Sequence, residues 1–82
     1  MGPVTVYFIT VLVSTTFTPS WGWIQANAPY SLLEVCYEHI ESKRDAIVMG
    51  LHIFFGDKLV SIHDIQCMTY AQAVKKNTKL GH

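Results

Sequence analysis

Residues 46–67 read AIVMGLHIFFGDKLVSIHDIQC, two apolar-rich runs on either side of Gly56-Asp57. Alternation along both runs, interrupted by a two-residue glycine-containing connector, predicts strands over 46–55 and 58–67 closed as a β-hairpin. Given that turn, Phe55 faces Lys58, Ile53 faces Val60 and Leu51 faces Ile62. Met49, Leu51, Ile53, Phe55, Val60 and Ile62 then share an apolar face, while His52, Phe54, Leu59, Ser61 and His63 fall on the wetter one.

Working towards the N-terminus, the period changes from 2 to 3.6. Ser31 followed three residues later by Glu34 is a capping box, flanked by Tyr30 and Val35 as a hydrophobic staple. A helix is predicted from Ser31, burying Leu33, Cys36, Tyr37 and Ile40 and turning Glu34, Glu38 and Glu41 to solvent. Lys43 and Arg44 sit where cations favour a helix C-terminus. They also form a dibasic pair that a processing protease could cut, leaving two chains joined only through cysteines. Beyond the hairpin, 69–76 suits a short C-terminal helix with Tyr70, Ala73 and Val74 inward, and 77–82 reads as a frayed tail.

Residues 1–33 contain no Asp, Glu, Lys, Arg or His, and 4–17 is an almost unbroken run of apolar residues, Thr and Ser. Three readings compete for it. A signal peptide fits the length of the apolar stretch, with cleavage after Gly22 or Ala28, although Pro29 follows the second site and no basic residue precedes Val4. A signal anchor needs about 20 apolar residues, a length reached only by including Ser14, Thr15, Thr16, Thr18, Pro19 and Ser20. A buried strand is supported by the β-branched Val4, Thr5, Val6, Ile9, Thr10, Val11 and Val13. The length rules favour the signal peptide, and Gly2-Pro3 with Val6 argues against myristoylation. The expected organisation is therefore a targeting segment with its linker over 1–28 and a mature domain over 29–82.

Such a mature domain, about 54 to 60 residues long, has a marginal core and needs a staple. The chain holds two cysteines. In an oxidising compartment Cys36 and Cys67 are the only intramolecular pair, and closing a loop of about 30 residues contributes roughly 3–4 kcal/mol in the chain-entropy model. The expected fold class is thus α+β: one helix packed on a hairpin, one disulfide and a short C-terminal helix.

Six basic residues balance six acidic ones, so nothing marks a nucleic-acid or anionic-membrane partner. The basic residues gather in Lys75, Lys76 and Lys79. Motifs for catalysis are missing: no G-x-S-x-G, H-E-x-x-H, P-loop or G-x-G-x-x-G occurs. Asp64 alternates to the face opposite His63, which leaves Ser61 and His63 without a third triad member. Cys36, His39, His63 and Cys67 have ligand-like spacing for zinc, a reading that requires reduced sulfurs. Otherwise no cofactor is expected.

These patterns point to a small secreted, non-enzymatic effector or binding polypeptide of the venom or secretory-fluid type. It would act on an extracellular protein through His52, Phe54, Leu59, Ser61, His63, Lys75 and Lys76. Two alternatives belong to other classes. One is a single-pass membrane microprotein or viral-type accessory protein, touching membrane only while the N-terminal segment stays uncleaved. The other is an intracellular β-α-β-β domain, zinc-bound or oligomeric. A hairpin edge also offers a route to a homodimer by strand addition.

Overall fold

The computed structural model describes residues 5–17 and 20–81. Gly2, Pro3 and Val4 of the uncharged run, Thr18 and Pro19 in its break, and His82 of the tail lie outside the described residues. The chain runs β1 (Phe8–Thr15), β2 (Trp21–Gln25), α1 (Leu33–Phe55), a 3-10 turn (Gly56–Lys58), β3 (Leu59–Met68) and α2 (Tyr70–Lys79). The class is α+β, with a three-stranded antiparallel sheet, one long helix, one short C-terminal helix and a Cys36–Cys67 disulfide.

The uncharged N-terminal run forms the centre of this sheet, in the order β2-β1-β3. Ile9, Thr10, Val11, Val13, Ser14 and Thr15 of β1 are all buried. A strand covered on both faces needs apolar and small hydroxyl side chains at successive positions and tolerates no charge. Those requirements also describe an export segment, which is why the two resemble each other in sequence. Cleavage after Gly22 or Ala28 would remove β1 from this sheet.

The hairpin is formed by β1 and β2, which pair Thr10 with Gln25 and Ser14 with Trp21. The predicted hairpin over 46–67 is not formed. Residues 46–55 continue α1, and β3 pairs with β1 instead, Ile9 opposite Cys67 and Val11 opposite Ile65. The reason lies in a second period within the same run. Ile47, Leu51 and Phe55 recur every four residues and extend the side begun by Cys36 and Ile40, and these residues pack into or against the core. Met49, Ile53 and Val60, expected on the buried hairpin face, are exposed. Gly56 ends the helix at φ 60°, a left-handed conformation that favours glycine, and so acts as a cap rather than a hairpin turn.

The predicted helix end at Lys43-Arg44 survives as a kink, with Lys43 at φ −124°, ψ 22°. At the other end the expected capping box is absent: Leu32 is the N-cap, without a side-chain cap bond. Leu33 and Tyr37 are exposed, whereas Cys36 and Ile40 are buried. A capping box does form at α2. Thr69 Oγ1 accepts the Gln72 N–H at 3.1 Å, and Gln72 Oε1 accepts the Thr69 N–H at 2.9 Å. Ala73 is buried in α2, while Tyr70 and Val74 are exposed.

α1 covers one face of the sheet, and α2 packs beside the edge strand β2. Ile9, Val11 and Val13 alternate towards α1 and form the core with Cys36, Ile40 and Cys67. Thr10 alternates towards the other side, where the Gln25 amide donates to Thr10 Oγ1 at 3.0 Å and to the Thr69 carbonyl at 3.2 Å beside the start of α2. The tail is helical as far as Lys79, contrary to the frayed expectation, because Asn77 fastens it to the sheet. Asn77 Oδ1 accepts the Trp23 N–H at 2.7 Å and Asn77 Nδ2 donates to the Trp23 carbonyl at 3.0 Å, as a neighbouring strand would. On the opposite edge β3 carries two irregularities, where its register with β1 shifts between Leu12 and Val13 and between Ser14 and Thr15.

Candidate binding surface

One of those irregularities builds a side-chain cluster. Leu12 pairs with Asp64 and Val13 with Ile62, which leaves His63 without a partner on β1. A bulge re-aims the side chain of its extra residue. His63 thereby joins the face shared by Ser14 and Trp21 instead of following Ile65 and Cys67 towards α1. Its Nε2 lies 3.0 Å from Ser14 Oγ, and its ring stacks on Trp21 with centroids 4.0 Å apart and planes 17° from parallel. The stack bridges the outer strands and roofs the central one, so Ser14 is only 7% exposed.

Trp23 follows Trp21 on the same face, two residues along β2. Lys76 of α2 places its ammonium 5.2 Å from the Trp23 ring centroid, an attraction worth about 0.5–1 kcal/mol at such partly open sites. Ser61 stands opposite Ser14 in the register, and Lys75 is exposed on α2. The result is a surface of two indoles, an imidazole, hydroxyls and the Lys76 ammonium, held on strands and a capped helix, while Lys75 stands on the outer side of α2, away from Ala73 and Asn77.

The expected binding residues are divided by this arrangement. Ser61, His63 and Lys76 come together with Ser14, Trp21 and Trp23. His52 and Phe54 instead project from α1 on the far side of the sheet, and Leu59 packs against the core. The shared hairpin face on which they were expected is not formed, since 46–55 is helical. Ser14 and Trp21 escaped the sequence reading because their segment was read as an address. The alternation of Trp21, Trp23 and Gln25 on one side was the available signal.

Chemically the cluster is suited to contact. Ser14 and His63 are within hydrogen-bond reach, but the Asp64 carboxylate accepts from the Ile65 N–H at 2.9 Å and from the Gln66 amide at 2.6 Å. Asp64 therefore does not orient the imidazole as a triad acid would. The zinc alternative requires reduced sulfurs, and in this structure Cys36 and Cys67 are bonded to each other with Cα atoms 6.2 Å apart. His39 meanwhile lies beside Tyr30, and among the described residues no group of three or more His, Cys, Asp or Glu side chains could hold a metal ion.

The disulfide belongs to an oxidising environment. Among the described residues no helix is long and apolar enough to cross a membrane. Comparison with protein-family models, with curated proteins and with solved structures finds no match for this chain, so its own geometry carries the functional argument.

Proposed function

We propose that the chain is a small secreted binding polypeptide that acts without catalysis, recognising an extracellular protein through the Trp21–His63 stack and the neighbouring Trp23 and Lys76. The observation that carries this reading is the stack itself. A 45%-exposed indole is braced by an imidazole and anchored through a hydroxyl on the central strand. Rigid, partly exposed tryptophans dominate protein interfaces because they contribute large contact area with little side-chain entropy to lose. With Lys76 beside it, the surface suits an acidic partner that also presents apolar groups.

Export in this reading retains β1, since the cluster includes Ser14 from that strand and Trp21 from its neighbour. The intact mass of protein recovered from the medium, the membranes and the cytosol of expressing cells tests the compartment. The expected result is a species in the medium that keeps residues 8–25 and lacks two hydrogens through the disulfide. A cytosolic species with two free thiols would overturn it. The surface is tested by saturable binding of the labelled protein to intact cells. Trp21→Ala and Lys76→Glu are each expected to weaken a protease-sensitive binding at least about tenfold. Binding unchanged by both variants would exclude this surface.

A further inference from the structure

The dibasic pair Lys43-Arg44 has no part in the proposed recognition surface, and it lies where α1 bends. Lys43 has φ −124° and ψ 22°, outside the helical region, and just before it the Ser42 hydroxyl donates to the His39 carbonyl at 3.4 Å. A side chain that bonds a carbonyl of its own preceding turn bends a helix at that place.

α1 is thereby two helical segments laid end to end. Lys43 and Arg44 favour the C-terminal dipole of the first, and Asp45 the N-terminal dipole of the second. Each segment is also anchored separately: Cys36 and Ile40 hold the first in the core, while Ile47, Leu51 and Phe55 pack the second against it. Between these anchors residues 41–46 are all exposed. More than a full turn of helix thus lacks a buried side, which makes it the part of α1 whose local opening costs least. Endoproteases bind their substrates opened into an extended strand, so a helical bond is cut only while it is open.

We propose that the Arg44–Asp45 peptide bond is a processing site, hydrolysed by an endoprotease of the kind that cuts after paired basic residues, and that the product is a two-chain protein with the same fold. One water is consumed: the C–N bond breaks, Arg44 gains a carboxylate and Asp45 an α-amino group. The two chains stay together because the central contacts of the sheet cross the cut. β1 lies before it and β3 after it, with Ile9 opposite Cys67 and Val11 opposite Ile65. The Cys36–Cys67 disulfide and the Asn77 bonds to Trp23 join the same two parts. The recognition cluster is likewise shared, Ser14 and Trp21 coming from one chain and His63 and Lys76 from the other. The second dibasic pair, Lys75-Lys76, is an internal control. Lys76 is half-buried with its ammonium over Trp23, and Asn77 follows it, so opening α2 there breaks its bonds to β2.

The proposal rests on export, but the susceptibility of the bond is tested without it. Folded, oxidised full-length protein carrying Lys76→Arg, which makes the two pairs identical, is incubated with a subtilisin-like endoprotease specific for Lys-Arg, and masses are followed before and after reduction. Cutting after Arg44 is expected at least about tenfold faster than at the substituted pair, with the rates converging once the cysteines are reduced and alkylated and the chain is unfolded. The product is expected to gain one water, to keep its circular dichroism and to separate into two chains only on reduction. From exporting cells that contain such a protease, the unsubstituted protein is expected in the medium as two chains and Arg44→Ala, a change at an exposed position, as one. Equal rates at the two pairs of the folded protein, resistance at Arg44 or loss of the fold on cutting would overturn the proposal. So would an exported protein recovered uncut from those cells. A cytosolic species with free thiols would remove the export on which the proposal rests, a result distinct from all of these.

Discussion

The two helices are held to the sheet by different forces. Under α1 the contacts are apolar and covalent: Ile9, Val11 and Val13 meet Cys36 and Ile40, and the disulfide ties the helix to Cys67 of β3. At α2 they are polar, through the Thr69–Gln72 box, the Gln25 amide and the Asn77 side chain on Trp23. The apolar contact obtains its strength from a few fully buried residues and leaves the rest of a long helix uncovered. The polar contact obtains order from directional bonds, which fix positions accurately while each adds little stability. It is accordingly beside α2 that a defined side-chain cluster is presented, and on α1 that Met49 and Ile53 stay exposed.

If that division holds, damage to the α1 contacts unfolds the domain and damage to the α2 contacts loosens it locally. Replacing Cys36 and Cys67 together by serine should have the largest effect, a loss of about 4 kcal/mol that leaves little native population at 37 °C by circular dichroism. Ile40→Ala comes next. It removes a side chain only 2% exposed at the centre of the core and should cost about 3 kcal/mol in denaturant unfolding. Asn77→Ala should cost about 1–2 kcal/mol. Amide exchange should speed up in α2 and at Trp23 while β1–β3 pairing keeps its protection, and a uniform loss of protection would erase the distinction between the two helices. The smallest effect has the opposite sign. Gly50→Ala should stabilise the fold by about 0.5–1 kcal/mol in thermal unfolding, because the added methyl meets nothing within the chain.

What could be read from the sequence follows the same division. The cysteine pairing was legible by elimination, and the α+β class followed from a helix period beside strand periods. The 46–55 run was ambiguous in principle. Met49, Leu51, Ile53 and Phe55 satisfy a period of 2, while Ile47, Leu51 and Phe55 satisfy a helical one, and local pattern cannot choose between them. The choice depends on which strand fills the place beside β3. That strand is β1, hidden in a segment whose composition equally suits export. Leaving that distant segment out of the domain thus displaced the hairpin, and with it the grouping of His52, Phe54 and His63. Ser14 and Trp21 were out of reach for the same reason, since the cluster forms only when three strands are placed side by side.

The edges of the sheet carry a last consequence. Half of the residues in this chain are hydrophobic, and its sheet is built around a strand without a single charge. Such a sheet could grow by adding strands from other molecules, the route to fibres. On one side Asn77 already occupies the Trp23 N–H and carbonyl that an incoming strand would need. On the other, the two register shifts twist β3 away from the straight template that stacking requires. A side-chain amide and two displaced residues thus guard the two open edges of the sheet against strand addition.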